Sequence, residues 1–239
     1  MPDGDERGPT PPRTDDPRVE PSPVSAHPAA PMRPRGGGAR DDRRSGPGNL
    51  PRLFVAVPVP EDVASAVGAV IDSTRAALGD DARAIRWVQM AGLHLTIRFL
   101  GPTPPDRIPE IRAAVDAVTA DHARFAVRLA GAGAFPEAGR PRALWIGISE
   151  GVDGLAAIAG DLETRLAAAG WQMERRPYRP HVTVARTDGI RVGPVAATIL
   201  AEVASVLDVG FEADRIVLYR SHLGSGPGRY EPLHSAALD

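Results

Sequence analysis

The rhythm of apolar and polar positions changes sharply near residue 52 of this 239-residue chain. Before that point no periodic apolar stripe exists. After it, short continuous apolar runs alternate with longer stretches at helical spacing. Residues 53–57 (LFVAV) read as a buried strand, and 60–78 as a helix opened by proline and acidic residues. Strands are predicted over 85–88 and 93–100 (LHLTIRFL). A helix over 104–120 has apolar positions at Ile108, Ile111, Val115 and Val118, and 125–129 reads as a further strand. The second half repeats the plan: a strand over 143–148 (ALWIGI), a helix over 151–169 and a strand over 181–185 (HVTVA). A helix over 195–203 and strands near 206–211 and 215–221 close it.

Leu53 precedes His94 by nearly the interval at which Leu144 precedes His181. Two near-equal β-α-β halves indicate an internal duplication. Each half alone is too small for a robust core, so one α+β, bilobal domain is expected over 50–239. Its lobes fall at about 52–135 and 140–239, with exchange of terminal strands between them allowed. Residues 1–49 hold 11 of the 25 prolines, no aromatic residue, and eight Arg against eight acidic residues. Such a segment cannot bury enough apolar surface to offset its ordering entropy and reads as a disordered, solvated tail.

The strand periodicity gives the two HxT segments their meaning. In HLTI and HVTV polar and apolar residues alternate, which puts His94 and Thr96 on one face and Leu95 and Ile97 on the other. The same holds for His181 and Thr183 against Val182 and Val184. With six His and ten Thr in the chain, random placement predicts about 0.25 His-x-Thr pairs. Two occur, at equivalent places in a duplicated plan. A lone histidine on a half-buried strand is more often a structural residue, but this matched pair points to a site. Two imidazoles flanking one phosphorus can serve as base and acid near neutral pH. Two threonine hydroxyls beside them can donate to the non-bridging oxygens where charge builds. No cofactor or metal is required by this design, and no third zinc ligand stands at a recognisable spacing.

Composition narrows the chemistry further. Cysteine is absent, which removes disulfides, thiol nucleophiles and thiolate metal sites and fits a reducing compartment. All 28 basic residues are arginine, so a lysine-bearing P-loop, a Schiff base and a lysyl-nucleotidyl intermediate are excluded. Phosphate must be met by Arg, His, hydroxyls and backbone amides. Arg98, in phase with His94 and Thr96, is expected to project toward the same cleft. Arg186 is out of phase with His181 and reaches the site only through a bend or bulge. Arg175, Arg176 and Arg191 read individually as a solvated rim. Trp87, Phe99 and Tyr178 stand near the motifs as stacking candidates, although packing is the commoner role for each. The hydrophobic content of 43% supports a sizeable core and the net charge of −2 says nothing about partners. The N-terminus lacks an apolar signal core and no stretch is long enough to span a bilayer, so a cytoplasmic, membrane-free protein is expected; a monomer is the accompanying expectation.

The segments RLFVAV at 52–57, LHLTIRFLG at 93–101, RPHVTVAR at 179–186 and LYRSHLG…RYEPL at 218–233 resemble the two-histidine (2H) phosphoesterase superfamily. The resemblance is to the LigT-like bacterial RNA 2′,3′-cyclic phosphodiesterases once described as 2′-5′ RNA ligases. It covers 52–234 and implies a bilobal α+β fold with pseudo-two-fold symmetry and a central cleft. It also implies that His94 is the proton donor and His181 the proton acceptor, with Thr96, Thr183 and Arg186 on the phosphate and a 2′-phosphate as product. The substrates implied are RNA ends carrying a 2′,3′-cyclic phosphate. The alternatives are small cyclic-phosphate nucleotides or 2′-5′-linked oligonucleotides, because the motifs read the phosphate and not the leaving group. A non-catalytic RNA-binding module would be served by Arg and aromatics alone.

Overall fold

The structure, a computed structural model, describes residues 50–222 and 228–239. The expected tail at 1–49 lies outside the described residues. Nine strands and four α-helices follow in chain order: β1 Arg52–Pro58, α1 Glu61–Leu78, β2 Arg86–Trp87, β3 His94–Pro102, α2 Ile108–Asp121, β4 Phe125–Phe135, β5 Ala143–Glu150, α3 Val152–Ala168, β6 Val182–Arg186, α4 Gly193–Val203, β7 Val209–Ala213, β8 Arg215–His222 and β9 Arg229–Ala237.

The strands form one antiparallel sheet in the order β7-β4-β5-β6-β3-β1-β8-β9, with β2 pairing β6 from the side. β3 and β6 meet at the centre through Leu95 opposite Val182. Four strands lie on either side of that seam, and the connections match: β1-α1-β3 on one side, β5-α3-β6 on the other. This is the pseudo-two-fold plan expected from the duplicated pattern. Neither side of the seam is one continuous stretch of sequence. β4 follows the first motif yet pairs with β5, while β8 and β9 come last yet extend the sheet from β1.

One face of the sheet is apolar and covered by helices. Leu53, Val55 and Val57 of β1, Leu95 and Ile97 of β3, and Val182 and Val184 of β6 are all buried in a single core with the apolar sides of the helices. Helix α1 packs on α4 and α2 on α3. In α3 the buried positions Leu155, Ile158, Leu162 and Leu166 recur at helical spacing. Burying each such leucine contributes about 1.5–3 kcal/mol before the entropy of ordering is counted. The opposite face carries His94 and His181.

Candidate active site

The seam between β3 and β6 sets the geometry of the site. Because the strands are antiparallel and Leu95 lies opposite Val182, the register one residue either way puts His94 beside Thr183 and Thr96 beside His181. Each histidine therefore neighbours the threonine of the other motif. The four form a square about one strand spacing wide on the face away from the core. All four are half-buried, whereas Leu95 and Val182 between them are fully buried.

Each imidazole is fixed in the same way. His94 Nδ1 lies 2.7 Å from the carbonyl oxygen of Gly92, and His181 Nδ1 lies 2.7 Å from that of Arg179. A carbonyl can only accept, so Nδ1 carries the proton in both rings and Nε2 is left for chemistry. Burial is the main cause that pushes both imidazoles below their ordinary value of 6.5, against the stabilising carbonyl contacts. The charge of His181 adds to the lowering at His94, and that of Arg186 to the lowering at His181.

Aromatic rings complete both pockets, and the sequence reading missed most of them. His94 sits 4.8 Å from Phe54 and 5.0 Å edge-on from Tyr230, with Tyr219 stacked on Phe54 at 5.2 Å. His181 sits 4.9 Å edge-on from Phe135, which packs on Trp145 at 5.3 Å. Their positions on β1, β4, β5, β8 and β9 carry no local signature of a site; only the sheet order brings them together. Gly92 has a double use, since its carbonyl holds His94 and a Cβ there would come within 3.0 Å of the Tyr230 ring.

Gly133 opposite Trp145 makes a parallel case, because a Cβ at Gly133 would overlap the indole ring. Gly133→Ala should therefore cost about 1–3 kcal/mol as an overpacked site and lower turnover by tilting Trp145 against Phe135 and His181. Thermal unfolding and activity measured on one sample check both effects.

Two bulges decide which motif residues share the site face. In β3, Ala56 pairs with Thr96 but Val55 with Arg98, so Ile97 is an extra residue. Arg98 thereby falls on the helix face with Val55 and does not project toward the site as its phase predicts. Its guanidinium pairs with Glu163 of α3, Nε to Oε2 at 2.6 Å, and donates to the Gln172 carbonyl. The next residue, Phe99, pairs with Phe54 on the site face and is 56% exposed, not packed away. In β6, Trp145 pairs with Thr183 but Leu144 with Ala185, which makes Val184 the extra residue. That shift supplies the bulge Arg186 needs, and Arg186, opposite Ala143, comes onto the site face. Phe99 and Arg186 stand at equivalent positions, five residues after their histidines.

Tyr178 is not a stacking platform. It packs against the core and its hydroxyl donates to the Thr96 carbonyl at 3.2 Å, so it braces β3 at the site. Its phenol is pushed up by burial. Trp87 also packs on the core, with Nε1 donating to the Ala82 carbonyl. Arg175, Arg176 and Arg191 are exposed, and Arg176 is paired with Glu174.

The 2′-5′ RNA ligase superfamily model matches residues 59–225, most of the described chain. The chain belongs to this superfamily. Among its relatives, an RNA 2′,3′-cyclic phosphodiesterase of Aeropyrum pernix is 31% identical over 150 residues, covering 63% of this chain and 84% of that protein. One of Geobacillus stearothermophilus is 30% identical over 194 residues, covering 77% of this chain, which spans only 56% of that relative's length. The superfamily fold extends to solved structures. A Thermus thermophilus protein superposes with a TM-score of 0.61 at 26% identity, covering 78% of this chain and 97% of its own. Apo LigT of E. coli superposes with a TM-score of 0.59 at 25% identity, covering 79% and 97%. Among the described residues, no helix is long and apolar enough to cross a membrane.

Proposed function

We propose that this chain hydrolyses 2′,3′-cyclic phosphates at RNA ends to 2′-phosphates, with His94 as proton donor and His181 as proton acceptor. The observation that carries the reading is the square of two histidines and two threonines with both Nδ1 atoms tied to carbonyls. It supports a phosphate bound between the two Nε2 atoms, with Thr96 and Thr183 donating to its non-bridging oxygens. His181 Nε2 takes a proton from water as the water oxygen bonds to phosphorus. The bond from phosphorus to the 3′-oxygen breaks, and His94 Nε2 gives that oxygen its proton. Arg186 on the same face supplies countercharge to the phosphate, and exposed Phe99 offers a ring beside Phe54 on which a base can stack. The relatives named for RNA 2′,3′-cyclic phosphodiesterase activity support the same reaction. The absence of cysteine fits a cytoplasmic enzyme, and the proposed site is built within one chain, as suits a monomer.

Incubation with an RNA ending in a 2′,3′-cyclic phosphate should give a terminal 2′-phosphate. A 3′-phosphate product, or no turnover, would overturn the assignment. The pH dependence follows from the two imidazoles. One must be protonated and one neutral, and kcat/KM reports the free enzyme. Since both titrate below 6.5, both limbs of the bell should lie on the acidic side of that value. The rate should fall as pH rises through neutrality, because the donor has then lost its proton. A kcat/KM that climbs to about pH 8 would contradict this pairing.

A further inference from the structure

We propose that Arg86 holds the phosphodiester next along the RNA strand, which makes an oligoribonucleotide end, and not a mononucleotide, the preferred substrate. This rests on the phosphodiesterase reading above and extends it. Strand β2 is two residues long and pairs with the end of β6, Arg86 opposite Arg186 and Trp87 opposite Ala185. The Val88 amide continues the ladder to the Val184 carbonyl at 3.0 Å. Ala185 belongs to the core and Trp87 packs there too, so alternation puts Arg86 on the site face beside Arg186.

Two like charges directly opposed across a strand pair destabilise the pairing. Among the described residues no carboxylate lies within ion-pair distance of either guanidinium, whereas Arg98, Arg128 and Arg165 are each paired with one or two. Both Arg86 and Arg186 are exposed. Helix-face anchoring of Trp87 and its bond to the Ala82 carbonyl hold this unfavourable pair in place. A single cyclic phosphate carries one negative charge, and Arg186 with the two threonines already answers it. The second guanidinium is countercharge for a second phosphate. β6 runs from Thr183, beside His94, to Arg186, and Arg86 extends the same line sideways onto β2. A strand whose last phosphate lies over the histidines and continues past Arg186 meets Arg86 next.

The test compares kcat/KM for a short oligoribonucleotide ending in a 2′,3′-cyclic phosphate with that for a mononucleoside 2′,3′-cyclic phosphate. Wild type should favour the oligomer. Arg86→Ala should cut that preference about tenfold, the scale of one charge-assisted contact. It should also lower the salt slope of log kcat/KM on the oligomer by about 0.7, the counterions released by one single-strand phosphate contact. Arg86→Lys should restore the salt slope, a result that loss of folding cannot mimic. Equal losses on both substrates, or an unchanged preference and slope, overturn the inference while leaving the reaction standing. If wild type turns over neither substrate, the phosphodiesterase reading itself falls, and this inference with it.

Discussion

His94→Ala and His181→Ala are each expected to lower kcat on a cyclic-phosphate RNA by about 10²–10⁴-fold, the range for positioned general acids and bases. The double variant should be little worse than the more damaged single, because the two groups act on one proton inventory and their effects are not additive. Both rings are half-buried and each makes one carbonyl hydrogen bond, so alanine leaves a Gly92 or Arg179 carbonyl that water can reach. The variants should stay folded, and circular dichroism with thermal unfolding would confirm it. Thr96→Val and Thr183→Val keep shape, lose one donor each, and should do less harm. Near-wild-type turnover in either histidine variant would remove the acid–base pair.

The second large effect separates two arginines that look alike in sequence. Arg186→Ala should lower kcat/KM about 10–100-fold, since a charged hydrogen bond contributes about 1.5–3 kcal/mol. Its thermal midpoint should scarcely move, because the side chain is exposed and makes no ion pair with a described residue. Arg98→Ala should show the reverse. Its side chain is 14% exposed and that of Glu163 is 17% exposed, so removing it strands a carboxylate among packed helices and costs about 3 kcal/mol. Turnover per folded molecule should change little. A catalytic defect in Arg98→Ala without loss of stability would mean that the guanidinium turns toward substrate after all.

The contrast between these arginines shows where the sequence stops being informative. Strand phase places His94, Thr96, His181 and Thr183 on one face because each motif is only three residues long, too short for an irregularity to intervene. It fails at Arg98, one residue beyond the extra Ile97, because a bulge exists only in relation to the partner strand. The same limit applies to the Gly92 and Arg179 carbonyls, since a main-chain acceptor has no side-chain signature. The helices were legible from apolar spacing, with ends within a few residues of those seen. β4 runs on to Phe135 through a Gly- and Ala-rich stretch whose residues have little strand preference of their own. β9 at Arg229–Ala237 was not anticipated as a strand: it forms the sheet edge and contains Pro232, which a central strand could not accommodate.

The exchange of strands across the seam has a consequence for how the molecule comes to exist. The strand bearing His94 is flanked by β1, and β1 is closed by β8 and β9, which follow every other described strand in the chain. Tyr219 and Tyr230, the walls of the His94 pocket, lie in those same late strands. The segment after β9 also holds the start of β4, where the Arg124 amide donates to the Asp239 carbonyl at 2.8 Å. A ribosome-bound chain therefore cannot complete its first pocket before its C-terminal strands emerge. Such long-range closure makes for slow folding. A half-length fragment holding one motif would leave β1 without β8 and β4 without β5 and β7, exposing unpaired strand edges that favour aggregation.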